Sequence, residues 1–146
     1  MTSVALLDVN VLVALFDPNH VHHDLAHDWF AEHREAGWAT CALTENGLVR
    51  VLAHPAYGAG VGAPAVVHAL RRFKASGHHQ FWLEALSLTD EAAFNPAMLG
   101  GSRQVTDVYL LGLAQQRGGV LATFDRSIPL QAVVGARPGL LQVIGP

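Results

Sequence analysis

The run Val4-Ala5-Leu6-Leu7-Asp8-Val9-Asn10-Val11-Leu12-Val13-Ala14-Leu15-Phe16 constrains this chain more than any other stretch. It is almost unbroken in apolar character, yet Asp8 stands in its middle, where an unpaired charge costs several kcal/mol. The short, partly β-branched residues before Asp8 suit a strand buried on both faces of a parallel sheet. Val11, Leu12, Leu15 and Phe16 then recur at helical spacing until Asp17-Pro18-Asn19 stops them. Asp8 is therefore expected at the carboxyl end of a first strand, just before a helix, where open α/β sheets bind their ligands. Asn10 is placed to cap that helix or to orient a ligand of Asp8. A capping Asp at a strand-to-helix turn is the plain alternative.

The rest of the chain repeats the strand-then-helix alternation. A second helix is predicted over His20 to Glu35 and a strand over Gly37 to Ala42. Next come a third helix from Leu43 to His54, a Gly/Ala-rich loop from Tyr57 to Pro64, and a helix from Ala65 to Ala75. A strand follows at Gln80 to Leu83. Ser87 to Asp90 has capping-box spacing before a short helix, Glu91 to Phe94. A helix over Gln104 to Arg117, stopped by Gly118-Gly119, leads to a buried strand at Val120 to Phe124 and a last strand at Leu140 to Ile144. Alternation of this kind predicts an α/β fold with a parallel sheet of four to five strands. The 146 residues, 51% hydrophobic and 14% charged, make one domain over 1–146 with a substantial core.

No apolar run is long enough to span a membrane and no basic-then-apolar leader precedes the first strand, so a cytoplasmic location is expected. Cys41 is the one cysteine and reads as a core residue. A net charge of −3 offers no global field for nucleic acid, although bound metal would reverse the sign locally at an acidic cluster. Arg71, Arg72 and Lys74 suit the end of their helix, where cations complement the dipole.

Four acids occupy equivalent places. Asp8 and Asp125 follow strands, whereas Glu45 and Asp107 fall in the first turns of helices starting near Thr44 and Thr106. In a parallel sheet all four approach one rim. Helix dipoles account well for Glu45 and Asp107 taken singly, and less well for Asp8 and Asp125, which abut apolar strands. If the four converge, two carboxylates about 4 Å apart repel by about 4 kcal/mol at an effective dielectric near 20, so they must share protons or a cation. An all-oxygen cluster suits Mg²⁺ or Mn²⁺, and such sites act on phosphates.

Leu7-Asp8-Val9-Asn10-Val11-Leu12, Thr44-Glu45, Thr106-Asp107-Val108-Tyr109-Leu110 and Ala122-Thr123-Phe124-Asp125-Arg126 resemble, in order and spacing, the four motifs of the PIN-domain nucleases. The resemblance runs from Val4 to about Ile144 and is nearest to the VapC-type ribonuclease toxins of bacterial toxin-antitoxin pairs. It implies a three-layer α/β/α sandwich, an acidic site holding Mg²⁺ or Mn²⁺, and endonucleolytic hydrolysis of RNA phosphodiesters. It also implies a small cognate antitoxin as partner. Carried over by position, Asp8, Glu45, Asp107 and Asp125 form the acidic set. Asn10 and Thr123 resemble supporting polar positions, with Thr123 bonding a carboxylate or a metal water. Arg103, just ahead of the Asp107 helix, is placed to meet a phosphate or to stay solvated.

Three other readings bear on these residues. His20, His22, His23 and His27 crowd one segment, and His23 and His27 lie one helical turn apart, a zinc-compatible spacing. The intervening Asp24-Leu25-Ala26 lacks a metalloprotease base, which favours surface or capping histidines there and at His78-His79. An aspartyl phosphatase would want a second Asp where Asn10 stands, and a receiver would want an acidic pair before Asp8 and a late Lys. A catalytically silent binding domain would not need the full acidic set. Apolar stretches at Leu12–Phe16 and Val49–Leu52 allow a homodimer.

Overall fold

The computed structural model describes residues 3–145. β1 (Ala5–Leu7) is buried along its whole length and lies at the centre of a five-stranded, all-parallel sheet. Its neighbours are β2 (Trp38–Cys41), paired Ala5 to Trp38, and β4 (Val120–Thr123), paired Leu7 to Ala122. With β3 (His79–Trp82) outside β2 and β5 (Leu141–Val143) outside β4, the strand order is β3-β2-β1-β4-β5. The chain moves outward from β1 to β3, then crosses back to β4. The β1–β4 boundary is thus the point where the order reverses, and the carboxyl ends of the strands there are where open α/β sheets bind their ligands.

Alternation along each strand feeds two cores. Ala5, Leu7, Trp38 and Ala122 face a layer made by α1 (Val9–Phe16), α2 (His23–His33), α3 (Ala42–Ala53) and α4 (Ala63–Lys74). Leu6, Ala39, Cys41 and Leu121 face α5 (Val105–Gln116) and the irregular segments around Phe94 and Ile128. The three-layer α/β/α arrangement matches the expected fold class. Burial of Cys41 pushes its thiol up to about 11, consistent with an inert core side chain.

α1 is sandwiched between the sheet, α2 and α3, so Val11 to Leu15 are all buried. Of the stretches on which the homodimer expectation rested, Leu12–Leu15 and Leu52 belong to the core, while Phe16, Val49 and Val51 are partly buried against it. Gly47 permits the close packing of α3 on α1: a Cβ there would stand 2.6 Å from Val9 Cγ2. That contact holds the first turns of α1 and α3, and hence Asp8 and Glu45, on neighbouring helices.

Several expected boundaries shift. α2 begins at His23, because His20 and His22 form the preceding turn, in which His22 N–H donates to His20 Nδ1 at 3.0 Å. α4 begins at Ala63, with Pro64 in its first turn, where its missing N–H costs nothing. The short helix expected at Glu91 to Phe94 does not form. Asp90 Oδ1 accepts from Ala92 N at 2.9 Å to close a turn, and Phe94 pairs with Val133 in an isolated antiparallel bridge. Phe94 is buried against α5, where Gly112 leaves room for its ring, and this packing outweighs the weak local helix preference.

Candidate active site

Asp8 ends β1 and caps α1, with Oδ1 accepting from Val9 N at 2.8 Å. It is only 5% exposed. Its second oxygen, Oδ2, accepts from the Thr123 hydroxyl at 2.7 Å. Thr123 closes β4, the strand beside β1, so sheet register brings together two side chains 115 positions apart. The hydroxyl oxygen of Thr123 in turn accepts from Asp125 N at 3.1 Å and Asn10 Nδ2 at 3.3 Å. Its single donor and both lone pairs are thus used, which fixes Asp8, Asn10 and the Asp125 turn relative to one another.

Asp125 folds its Oδ1 back onto Ser127 N at 2.8 Å and Ser127 Oγ at 2.6 Å. Asp107 stands in the first turn of α5, approaching from the opposite layer, and receives no hydrogen bond among the described residues. Burial, with the charges of Asp8 and Asp125 adding to it, pushes its carboxyl up to about 6. Asp8 is likewise raised, mainly by burial and also by Asp125, against the lowering effect of Thr123 and Val9. Asp8 and Asp107 thus feel the charge of Asp125, and no cation pairs with any of the three among the described residues.

Glu45 stands apart from this group. Its Oε2 accepts from the Thr40 hydroxyl at 2.7 Å and pairs with Lys74 Nζ at 2.8 Å. Thr40, fully buried on β2, also meets His79 Nε2 at 2.8 Å. Because the Thr40 proton goes to the carboxylate, the imidazole must donate. Thr40, Lys74 and His79 carry no local sequence signal as partners of Glu45. Only the alternation that puts Trp38 and Thr40 on one face of β2 hints at their placement. Arg103 lies exposed in a 3-10 turn, Ser102–Gln104, immediately before α5.

The crowded histidines resolve as caps. His23 Nδ1 and His27 Nε2 lie 2.8 Å from the carbonyls of Ala14 and Leu15, to which they can only donate, so they close the open end of α1. His79 is the first residue of β3 rather than part of a turn, and bonds Thr40.

A hard divalent cation fits the Asp8 cluster chemically. The donors are all oxygen, their charges are uncompensated, and Asn10 Oδ1 is buried with no hydrogen-bond partner. Among the described residues no three acidic, His or Cys side chains close into a ready-made chelate. An ion would thus be held through one or two carboxylates with waters retained, the habit of Mg²⁺.

The PIN domain sequence profile matches residues 5–133. The chain belongs to the PIN-domain family. It is 44% identical over 132 residues to ribonuclease VapC44 of Mycobacterium tuberculosis, covering 90% of this chain and 93% of that protein. It is also 42% identical over 126 residues to ribonuclease VapC38 of the same organism, covering 86% and 87%. Among solved structures, the fold matches M. tuberculosis VapC20, described as a sarcin-ricin loop cleaving toxin, with a TM-score of 0.61 at 15% identity. That match covers 92% of this chain and 99% of that one. No helix among the described residues is long and apolar enough to cross a membrane.

Proposed function

We propose that this PIN-domain protein, one nuclease domain over 1–146, is a metal-dependent endoribonuclease and the toxin of a toxin-antitoxin pair. The observation that carries the reading is the trio Asp8, Asp107 and Asp125. Burial and neighbouring carboxylate charge raise Asp8 and Asp107 at the β1–β4 boundary, in a chain 44% identical to a protein named as a ribonuclease. Mg²⁺ or Mn²⁺ is the cofactor in this reading. When bound, the ion lowers the pKa of a water and stabilises the leaving oxygen of a phosphodiester.

The chain's own residues supply the rest. Asp8, clamped by Thr123 and the α1 N-terminus, is the rigid ligand. Asp107 and Asp125 come from a different helix and turn to complete the anionic wall. Asn10 presents its unpartnered Oδ1 to a water or a metal ligand. Glu45, engaged by Thr40 and Lys74, acts at the edge of the site, and Arg103 reaches toward the RNA backbone from the surface. A small antitoxin and a second copy of the chain are the protein partners, in the cytoplasm.

Asp8→Asn tests the reading. It should abolish Mg²⁺-dependent RNA cleavage while the circular dichroism spectrum persists, and undiminished cleavage by the folded variant would remove the mechanism. Expression alone should arrest growth, with relief on co-expression of the protein encoded next to it. Normal growth with active protein would count against the toxin role alone.

A further inference from the structure

Beside Glu45 a cleft of about 470 Å³ opens between α3 and α4, and Arg71 and Lys74 stand on its wall. These cations are three residues apart, on one face of the last turn of α4. Arg71 is exposed and has no acidic partner among the described residues. Lys74 Nζ is held by Glu45 at 2.8 Å and also lies 5.3 Å from the ring centre of Phe81. Phe81, on the edge strand β3, is 46% exposed, which is unusual for a large apolar ring in a strand otherwise paired into the sheet. By alternation Phe81 shares the sheet face of His79, whose ring bonds Thr40 and through it Glu45.

Helix-end cations are ordinary, and so are solvated ones. Here they coincide with a cleft, an exposed aromatic face and a direct link to a carboxylate of the acidic set. Sequence-tolerant recognition of single-stranded nucleic acid combines those same elements: cations on the backbone and a ring on which a base stacks. We propose that the cleft between α3 and α4, together with the neighbouring Phe81 ring, is a nucleotide subsite for single-stranded RNA, with Arg71 and Lys74 on a phosphate and Phe81 stacking the adjoining base. Glu45 orients Lys74 within it. The proposal rests on the ribonuclease reading and names where the strand lies relative to the acidic crevice.

The test is the affinity of the full-length protein for a fluorescein-labelled RNA dodecamer, read by anisotropy across a salt series in EDTA, with the strand's integrity checked on a gel. Arg71→Met and Lys74→Met should each weaken binding about three- to tenfold and flatten the slope of log K against log salt by about 0.7, the loss of one phosphate contact. Phe81→Leu should weaken it about tenfold at unchanged slope, and Phe81→Tyr should restore it. A structural role for these side chains would not move the salt slope, and exposed Arg71 supplies a variant that leaves the fold alone.

Wild-type affinity and slope in both cation variants would overturn the subsite. So would a wild-type protein that binds no RNA. Weakened cation variants beside an unaffected Phe81→Leu would also overturn it, in favour of an anion site suited to an acidic peptide. Cleavage of the same strand by the wild-type protein with Mg²⁺ is scored separately. Binding with the expected pattern but without cleavage contradicts the nuclease reading and leaves the subsite standing.

Discussion

Two groups of carboxylates sit at the carboxyl rim of one sheet and solve the problem of burial in opposite ways. Glu45 has its counter-charge built in: Lys74 and the Thr40 hydroxyl share one of its oxygens. Asp8, Asp107 and Asp125 have hydrogen-bond donors on two of the three but no cation among the described residues, and Asp107 is pushed up to about 6. A self-neutralised carboxylate can hold a neighbour in place. An uncompensated trio is costly by itself and becomes favourable when a cation arrives from solution.

The largest effect that would sharpen this contrast is on activity. Asp107→Asn should lower the single-turnover rate of RNA cleavage by about a thousandfold or more, equivalent to about 4 kcal/mol of transition-state stabilisation. Glu45→Gln should cost less, because it leaves the trio intact. Equal losses in the two variants would erase the distinction between the groups.

Stability with and without metal comes next. At about one hundred times its dissociation constant, Mg²⁺ should stabilise the wild-type protein by about 2.7 kcal/mol in denaturant titrations. Glu45→Gln should retain most of that gain and Asp8→Asn should lose it.

The frame that supports the trio should show an effect of similar order. Thr123→Val removes the hydroxyl that serves Asp8, Asn10 and Asp125 together, and should destabilise the fold by about 1–3 kcal/mol. Chemical denaturation measures it. A neutral result would mean that the three groups hold their places without it.

The smallest effect is the pH dependence of the metal-free protein. Asp107 titrates near 6 when folded against an ordinary value of 3.8, so the folded state binds more protons between those values. Its contribution is therefore most favourable below about pH 4 and declines as pH rises through 6. Relative to wild type, Asp107→Asn should gain stability between pH 4 and pH 7, by less than about 1 kcal/mol because solvent screens a half-exposed group. Melting curves in EDTA would show it, and a constant offset across that range would contradict the shared environment.

Much of this was legible in the chain because the relevant signals are local. An apolar run ending in Asp8, a second ending near Asp125, and acids at helix starts fix the strand ends, and a parallel sheet does the rest. The role of Thr123 came with the family resemblance, and the β1–β4 register gives it a physical cause. The Glu45–Lys74 pair was not legible, since the two lie 29 positions apart and each looks like a dipole-complementing charge on its own helix. The homodimer expectation rested on Leu12–Phe16 and Val49–Leu52, and of these Leu12–Leu15 are core, because hydrophobicity alone does not tell a helix covered by its neighbours from one awaiting a partner. The missing helix at Glu91 to Phe94 failed for a tertiary reason, the docking of Phe94 against Gly112.

The central claim is that the uncompensated trio, and not Glu45, holds the cation. Mn²⁺ binding to the wild-type protein and to the Asp107→Asn and Glu45→Gln variants, followed by electron paramagnetic resonance, tests it most directly. The account predicts affinity reduced at least about tenfold in Asp107→Asn and within about threefold of wild type in Glu45→Gln. Wild-type protein that binds no Mn²⁺, or an Asp107→Asn variant that binds it as tightly as wild type, would contradict the account.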